Sequence, residues 1–182
     1  DEDHIFLAFD KSQAEWVVVA YASGDAAMIS AAEQKVDVHS FTASRMFHQD
    51  IDLIKHDNKL IGHHSDPDLI RAIRMADPML KPLIESNTWL PRTMSMRQCG
   101  KKSNHGLNYD EKAGMFGLIN EITEKEAKVI VDFYHSTYPG IRKWYDSIKQ
   151  ELTENGRILK NLFGRPYRFL GKNDDTLFKS AY

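Results

Sequence analysis

Segments that read as strands lie only near the two ends of this 182-residue chain, and the stretch between them is punctuated by helix starts and stops. His4-Ile5-Phe6-Leu7-Ala8-Phe9 is a short apolar run that closes on Asp10, which predicts a buried strand with a polar terminus. The other end predicts a hairpin: residues 157–162, a turn at Phe163-Gly164, then 166–170. Helical patterns fill the interval. Ser12 to Ala22 carries a Ser-x-x-Glu capping box formed by Ser12 and Glu15; Gly24-Asp25 breaks it; further helices are expected over Ala26 to Gln34 and Val38 to Phe47. Asp66-Pro67 and Asp77-Pro78 read as the starts of two short helices. A longer helix is expected from about Met94 to Asn108. Another, capped by Thr123 with Glu126, runs to about His135, and one opened by Pro139 reaches Glu154. Strand, helices, hairpin is an α+β order. It predicts that the terminal β elements share one sheet and that the helical middle forms a separate lobe, with Asp10 on one wall of the cleft between them.

At 42% hydrophobic and 27% charged residues, the chain can bury one sizeable core, or two small ones sharing an interface. No apolar run nears the roughly 20 residues of a membrane span and no signal-peptide pattern opens the chain, so the reading is intracellular with no membrane partner. One cysteine, Cys99, leaves no internal disulfide and no Cys-x-x-Cys zinc site. His63-His64 is the densest histidine pair, but adjacent residues point apart, which argues against a histidine-rich metal site. Charge is unevenly placed: residues 1–90 hold 8 Lys/Arg against 15 Asp/Glu, and residues 91–182 hold 16 against 11. The second half is therefore better suited to polyanions and the first to supplying carboxylates.

Within the second half, Arg97, Lys101, His105 and Tyr109 stand at steps of four. On a helix they form one stripe roughly 18 Å long, the reach of an extended nucleoside triphosphate. Two cations could hold phosphates, an imidazole could follow the sugar, and a phenol could lie against a base. A solvated basic face is the plainer reading of such spacing. Gly100 and Gly106 weigh against it, because each costs about 1 kcal/mol in a helix interior and implies close approach of a ligand or another backbone.

Three separated motifs then resemble the A family of DNA polymerases. They are Asp10-Lys11-Ser12-Gln13-Ala14-Glu15 with Ser23-Gly24-Asp25, then Asp37-Val38-His39-Ser40-Phe41-Thr42-Ala43, and Arg97-x-x-x-Lys101-x-x-Asn104-His105-Gly106-x-x-Tyr109. Tyr138-Pro139 and Gly164-Arg165-Pro166-Tyr167-Arg168 resemble two further landmarks, and the order is kept over nearly the whole chain. The resemblance implies a partial polymerase palm sheet with a helical fingers subdomain: 1–47 palm portion and first helices, 48–91 an insertion or linker, 92–154 fingers helices, 155–182 the hairpin returning to the palm. It implies template-directed DNA synthesis, with dNTP and primer-template DNA as partners.

By residue, the resemblance implies that Asp10 binds two Mg2+ ions, with the Lys11 carbonyl as a further ligand. Asp10 and Lys101 would be the catalytic groups, Lys101 also assisting pyrophosphate departure. Arg97, Lys101 and His39 would grip phosphates; Glu15 and His105 would sense the sugar; Tyr109 would stack at the templating position. Gln13, Arg165 and Arg168 would face primer and template. Two positions depart from the family pattern. His105 stands where Phe or Tyr is usual, and Asp110 where Gly is usual. The stretch from His48 to Met96 is longer than the family's link between these motifs, and the added segment is expected to be a surface insertion. The chain stops at Tyr182, ahead of the family's His-Asp-Glu motif, so the 182 residues alone are expected not to polymerise DNA. Bacterial, phage and organellar enzymes of the family share these motifs, and the long link and His105 lean towards a phage-like or organellar member. A nucleotide- or nucleic-acid-binding remnant without chemistry is the alternative reading.

Overall fold

A computed structural model describes residues 13–120, 122–161 and 163–181. The expected N-terminal strand, Asp10, Lys11 and Ser12 lie outside the described residues. Eleven helices and one hairpin follow, among the described residues: α1 Ala14–Ser23, α2 Ala26–Glu33, α3 Val38–Phe47, α4 Ile51–Ile61, α5 Pro67–Ala76, α6 Lys81–Glu85, α7 Met96–Leu107, α8 Ala113–Asn120, α9 Glu124–Thr137, α10 Pro139–Glu154, β1 Ile158–Lys160, β2 Pro166–Arg168 and α11 Asp175–Ala181.

Side-chain caps set many of these boundaries. Asp25 accepts from the Ala27 and Met28 amides, Asp37 from His39, Asp66 from Leu69, Ser95 from Gln98, and Thr123 with Glu126 closes the expected capping box. The cap of α1 differs from expectation. It begins at Ala14, with Gln13 in the left-handed region (φ 59°) and making no side-chain cap, while Ser12 of the expected box lies outside the described residues. Asp77 accepts from the Met79 and Leu80 amides and so caps a turn, and α6 starts only at Lys81.

α3 and α7 form the most extensive helix pair, and Gly100 explains how. A Cβ there would collide with the His39 carbonyl and stand 3.1 Å from the Ala43 Cβ, so the close neighbour is the backbone of α3. Gly106 faces only the Glu111 side chain, which can move. One core centres on Trp16, Met28, Phe116, Tyr134, Tyr138 and Tyr145. A second, built from Phe47, Ile54, Leu80, Met96 and Cys99, joins α3, α4 and the start of α7. The 48–91 segment is thus not a surface appendage: its Ile54, Ile61, Ile70 and Leu80 are buried.

The hairpin pairs Ile158 with Arg168 and Lys160 with Pro166, and turns through Gly164 at φ 77°. Its inner side packs on the end of α10 and on α11 around Leu152 and Leu177. It is a two-stranded antiparallel sheet among the described residues, so the architecture is α+β and mostly helical. No helix of the described residues is long and apolar enough to cross a membrane.

Candidate functional site

A cavity of about 500 Å³ opens between the start of α1, the start of α3 and one face of α7. Gln13, Glu15, His39, Arg97, Lys101 and His105 line it, so six of the residues singled out from the sequence meet in one place. Their spacing on α7 does this work: Arg97, Lys101 and His105 follow each other at successive turns. Tyr109 departs from the expected stripe. The helix ends at Leu107, Asn108 is its C-cap, and Tyr109 sits in the following turn. Its ring still returns toward α1, edge-on to His105 at 5.8 Å, with its hydroxyl donating to Glu15 Oε1.

The cations are presented differently. Arg97 gives its Nε to Asp37 Oδ2 at 2.7 Å and its Nη2 to Asp37 Oδ1 at 3.2 Å. One edge of the fork is thereby fixed, and among the described residues Nη1 remains for an anion. Burial raises the Asp37 carboxyl, but hydrogen bonds from Arg97 and Ser40 outweigh it and hold the group below the usual carboxylate value. Lys101 is exposed, with no ion pair among the described residues.

His39 is set by a buried network. Asn104 Nδ2 donates to the Val38 carbonyl at 3.3 Å and to His39 Nδ1 at 3.1 Å, while Asn104 Oδ1 accepts from Thr42 Oγ1, itself 3.1 Å from the Tyr138 hydroxyl. With Nδ1 used as an acceptor, the neutral ring carries its proton on Nε2 as a donor. Burial, followed by the Arg97 charge, lowers the His39 pKa and favours that neutral form. Sequence reasoning quoted Asp37, Thr42, Asn104 and Tyr138 only as motif letters. Their tasks emerge once α3, α7 and α9 are packed.

Glu15 closes the opposite side of the cavity. Besides Tyr109, its carboxylate meets His105 Nδ1 at 3.3 Å. Gln13, expected to face nucleic acid, offers its Oε1 to the Val38 amide at 3.3 Å and ties the start of α1 to the start of α3. Asp110 stands at φ 56°, a conformation that Gly adopts freely and Asp tolerates, and its amide donates to the Tyr145 hydroxyl at 3.1 Å. Arg165 and Arg168 are exposed on the hairpin and do not line the cavity; Arg165 stacks on Tyr167, 5.5 Å from the ring centre. Asp10 and Lys11 are outside the described residues, and no group of three or more His, Cys, Asp or Glu among the described residues could hold a metal ion.

The cavity thus sets two cationic side chains and a neutral imidazole donor on one helix pair, an arrangement that can receive an anion. No protein-family model matches the chain. Among curated proteins it is 28% identical over 166 residues to DNA polymerase I of Streptococcus pneumoniae, covering 90% of this chain and 14% of that protein. It is 26% identical over 168 residues to DNA polymerase I of Geobacillus stearothermophilus, with 92% and 15% covered. Against the thermostable DNA polymerase I of Thermus aquaticus it is 25% identical over 165 residues, with 91% and 15% covered. A solved structure, the POL domain of Pol1 from M. smegmatis in complex with DNA primer-template and dNTP, matches with a TM-score of 0.63 at 22% identity, over 94% of this chain and 24% of that one. Over about nine tenths of its length the chain is similar to polymerases of the DNA polymerase I type, and it spans about 14% of the length of the curated relatives it matches.

Proposed function

We propose that residues 13–181 form the incoming-nucleotide wall of a DNA-directed DNA polymerase, and that the polypeptide carrying them transfers nucleotidyl groups from dNTP to a primer 3′-OH. The observation that carries this reading is the meeting of His39, Arg97 and Lys101 in one cavity, three donors of the kind a triphosphate needs.

In this reading Lys101 meets the triphosphate as a mobile point charge and Arg97 as a fixed fork already oriented by Asp37. His39 donates through Nε2 without adding charge. Negative charge that builds on the leaving phosphates falls beside Arg97 and Lys101, and Lys101 can pass its proton to the departing pyrophosphate. Glu15, His105 and Tyr109 form a linked polar wall at the other end of the cavity, where the sugar would sit. Gln13, Arg165 and Arg168 are assigned to primer and template. Asp10 and the Lys11 carbonyl, hard oxygen donors, are assigned to Mg2+, which when bound would supply Lewis-acid stabilisation of the reacting oxygens.

The test is primer extension together with calorimetric titration of dATP, using the complete polypeptide that carries this segment. Template-directed incorporation that Lys101→Ala reduces at least about tenfold is the expected result. Binding of dATP without incorporation would replace this reading with a non-catalytic nucleotide-binding one; no binding would overturn both.

A further inference from the structure

The helix that presents Arg97 and Lys101 is gripped at its start by the 48–91 segment. Ser95, the N-cap of α7, accepts from the Gln98 amide at 3.2 Å and donates its hydroxyl to Asn58 Oδ1 of α4 at 2.8 Å. The Met96 amide donates to Asp57 Oδ2 at 2.7 Å. Asp57 is fully buried and its two oxygens also receive Arg74 Nε at 2.8 Å and Nη2 at 3.2 Å. Arg74, on α5, donates as well to the carbonyls of Pro91 at 2.6 Å and Met94 at 3.2 Å, within the lead-in to α7.

This is an expensive way to join helices. A buried ion pair contributes little net stability, and apolar side chains of similar size would hold the same elements together at least as well. What the pair supplies is direction. A carboxylate bonded to the first free amide of α7, and a guanidinium bonded to two carbonyls ahead of it, allow only one axial position and one rotation of the helix. The far end is fixed in the same manner, the Leu107 carbonyl accepting from Tyr145 at 2.6 Å and Asn108 from Tyr134 at 2.9 Å. Arg97 lies one residue beyond Met96, and Lys101 one turn further. A rotation of α7 would therefore swing both cations off the cavity.

We propose that Asp57, Asn58 and Arg74 are positioning residues for triphosphate binding: the 48–91 segment is the seat that aims α7. This rests on the nucleotide-binding reading above. The test titrates dATP calorimetrically into the complete polypeptide carrying Asn58→Ala, Asn58→Asp, or the double replacement Asp57→Leu with Arg74→Leu, alongside thermal melts. Asn58→Ala weakens dATP binding about fivefold and the double variant about tenfold or more, each with a cooperative melt, while Asn58→Asp retains the acceptor and binds within about twofold of the parent. In a Lys101→Ala background the Asn58→Ala effect shrinks, since both act through one helix. If the double variant does not fold, Asn58→Ala and its rescue decide alone. Folded variants with unchanged dATP affinity, or an effect of undiminished size without Lys101, overturn the proposal. An unaltered polypeptide that fails to bind dATP overturns the nucleotide reading and this inference together.

Discussion

Arg97 and Lys101 carry the same charge but offer it under different constraints. Arg97 is fixed by two bonds to Asp37, whereas Lys101 extends into solvent among the described residues. Arg97→Lys therefore loses more than a change of shape suggests: an ammonium cannot serve Asp37 and a phosphate along two edges of one plane. Calorimetry should show dATP affinity falling at least about tenfold for Arg97→Lys and about as much for Lys101→Ala. Asp37→Asn separates the two tasks of that carboxylate, because Asn caps a helix as well as Asp but pairs weakly with arginine. The α3 cap is retained, and a thermal melt should show a smaller loss for Asp37→Asn than for Asp37→Ala.

Helix packing explains motif letters that chemistry alone does not. In Ser23-Gly24-Asp25, Gly24 ends α1 at φ 64° and Asp25 caps α2, while its Oδ2 also accepts from the Gly140 amide at 2.8 Å. A Cβ on Gly140 would stand 2.7 Å from that of Asp25, so two distant landmarks are two sides of one contact. Gly100 plays the equivalent part between α7 and α3. Gly100→Val should destabilise by roughly 1–3 kcal/mol in a denaturant titration, and Gly106→Ala by less, because only a mobile Glu111 side chain must give way. Helix starts marked by a capping box or by a proline in the first turn were readable from the sequence, as Thr123 with Glu126 and Pro139 show. α4 and α8 were not. α4 lies in a polar stretch with no capping box or proline at its start, and α8 is mostly apolar with two glycines and shows no polar face. α11 had a signal in Asp174, which accepts from the Thr176 and Leu177 amides, but the segment is only seven residues long.

At the scale of the molecule, stability depends on groups buried without their usual charge. Burial, with Arg142 adding to it, pushes the His135 pKa down to about 4 from an ordinary 6.5. The unfolded chain takes up that proton near 6.5 and the folded chain only near 4. The stabilisation is therefore complete above about pH 6.5 and is lost as pH falls toward 4, amounting to at most about 3 kcal/mol. His39 is shifted the same way and adds to the slope. Melting temperature should fall between pH 7 and pH 5, and His135→Phe should flatten part of that fall. Cys99, with its thiol pushed up to about 12 by burial, should stay unreactive to alkylation until the fold opens.

The helical middle, the terminal hairpin and the four-residue spacing that puts Arg97, Lys101 and His105 on one face were legible in the chain, because periodicity, caps and turn residues are local. It also supplied the ordered motifs that point to a nucleotide site. Long-range packing is what brings Glu15 to His105 and Tyr109, lets Asp37 hold Arg97, and makes Asn104 set the tautomer of His39. Those partners lie about 60 to 95 residues apart in the chain, and no local pattern records them. The 48–91 segment is the clearest case. Its polar letters read as an ordinary surface until folding buries Asp57 and Arg74 against the start of α7, where low dielectric and fixed geometry turn two common charges into a seat for the helix.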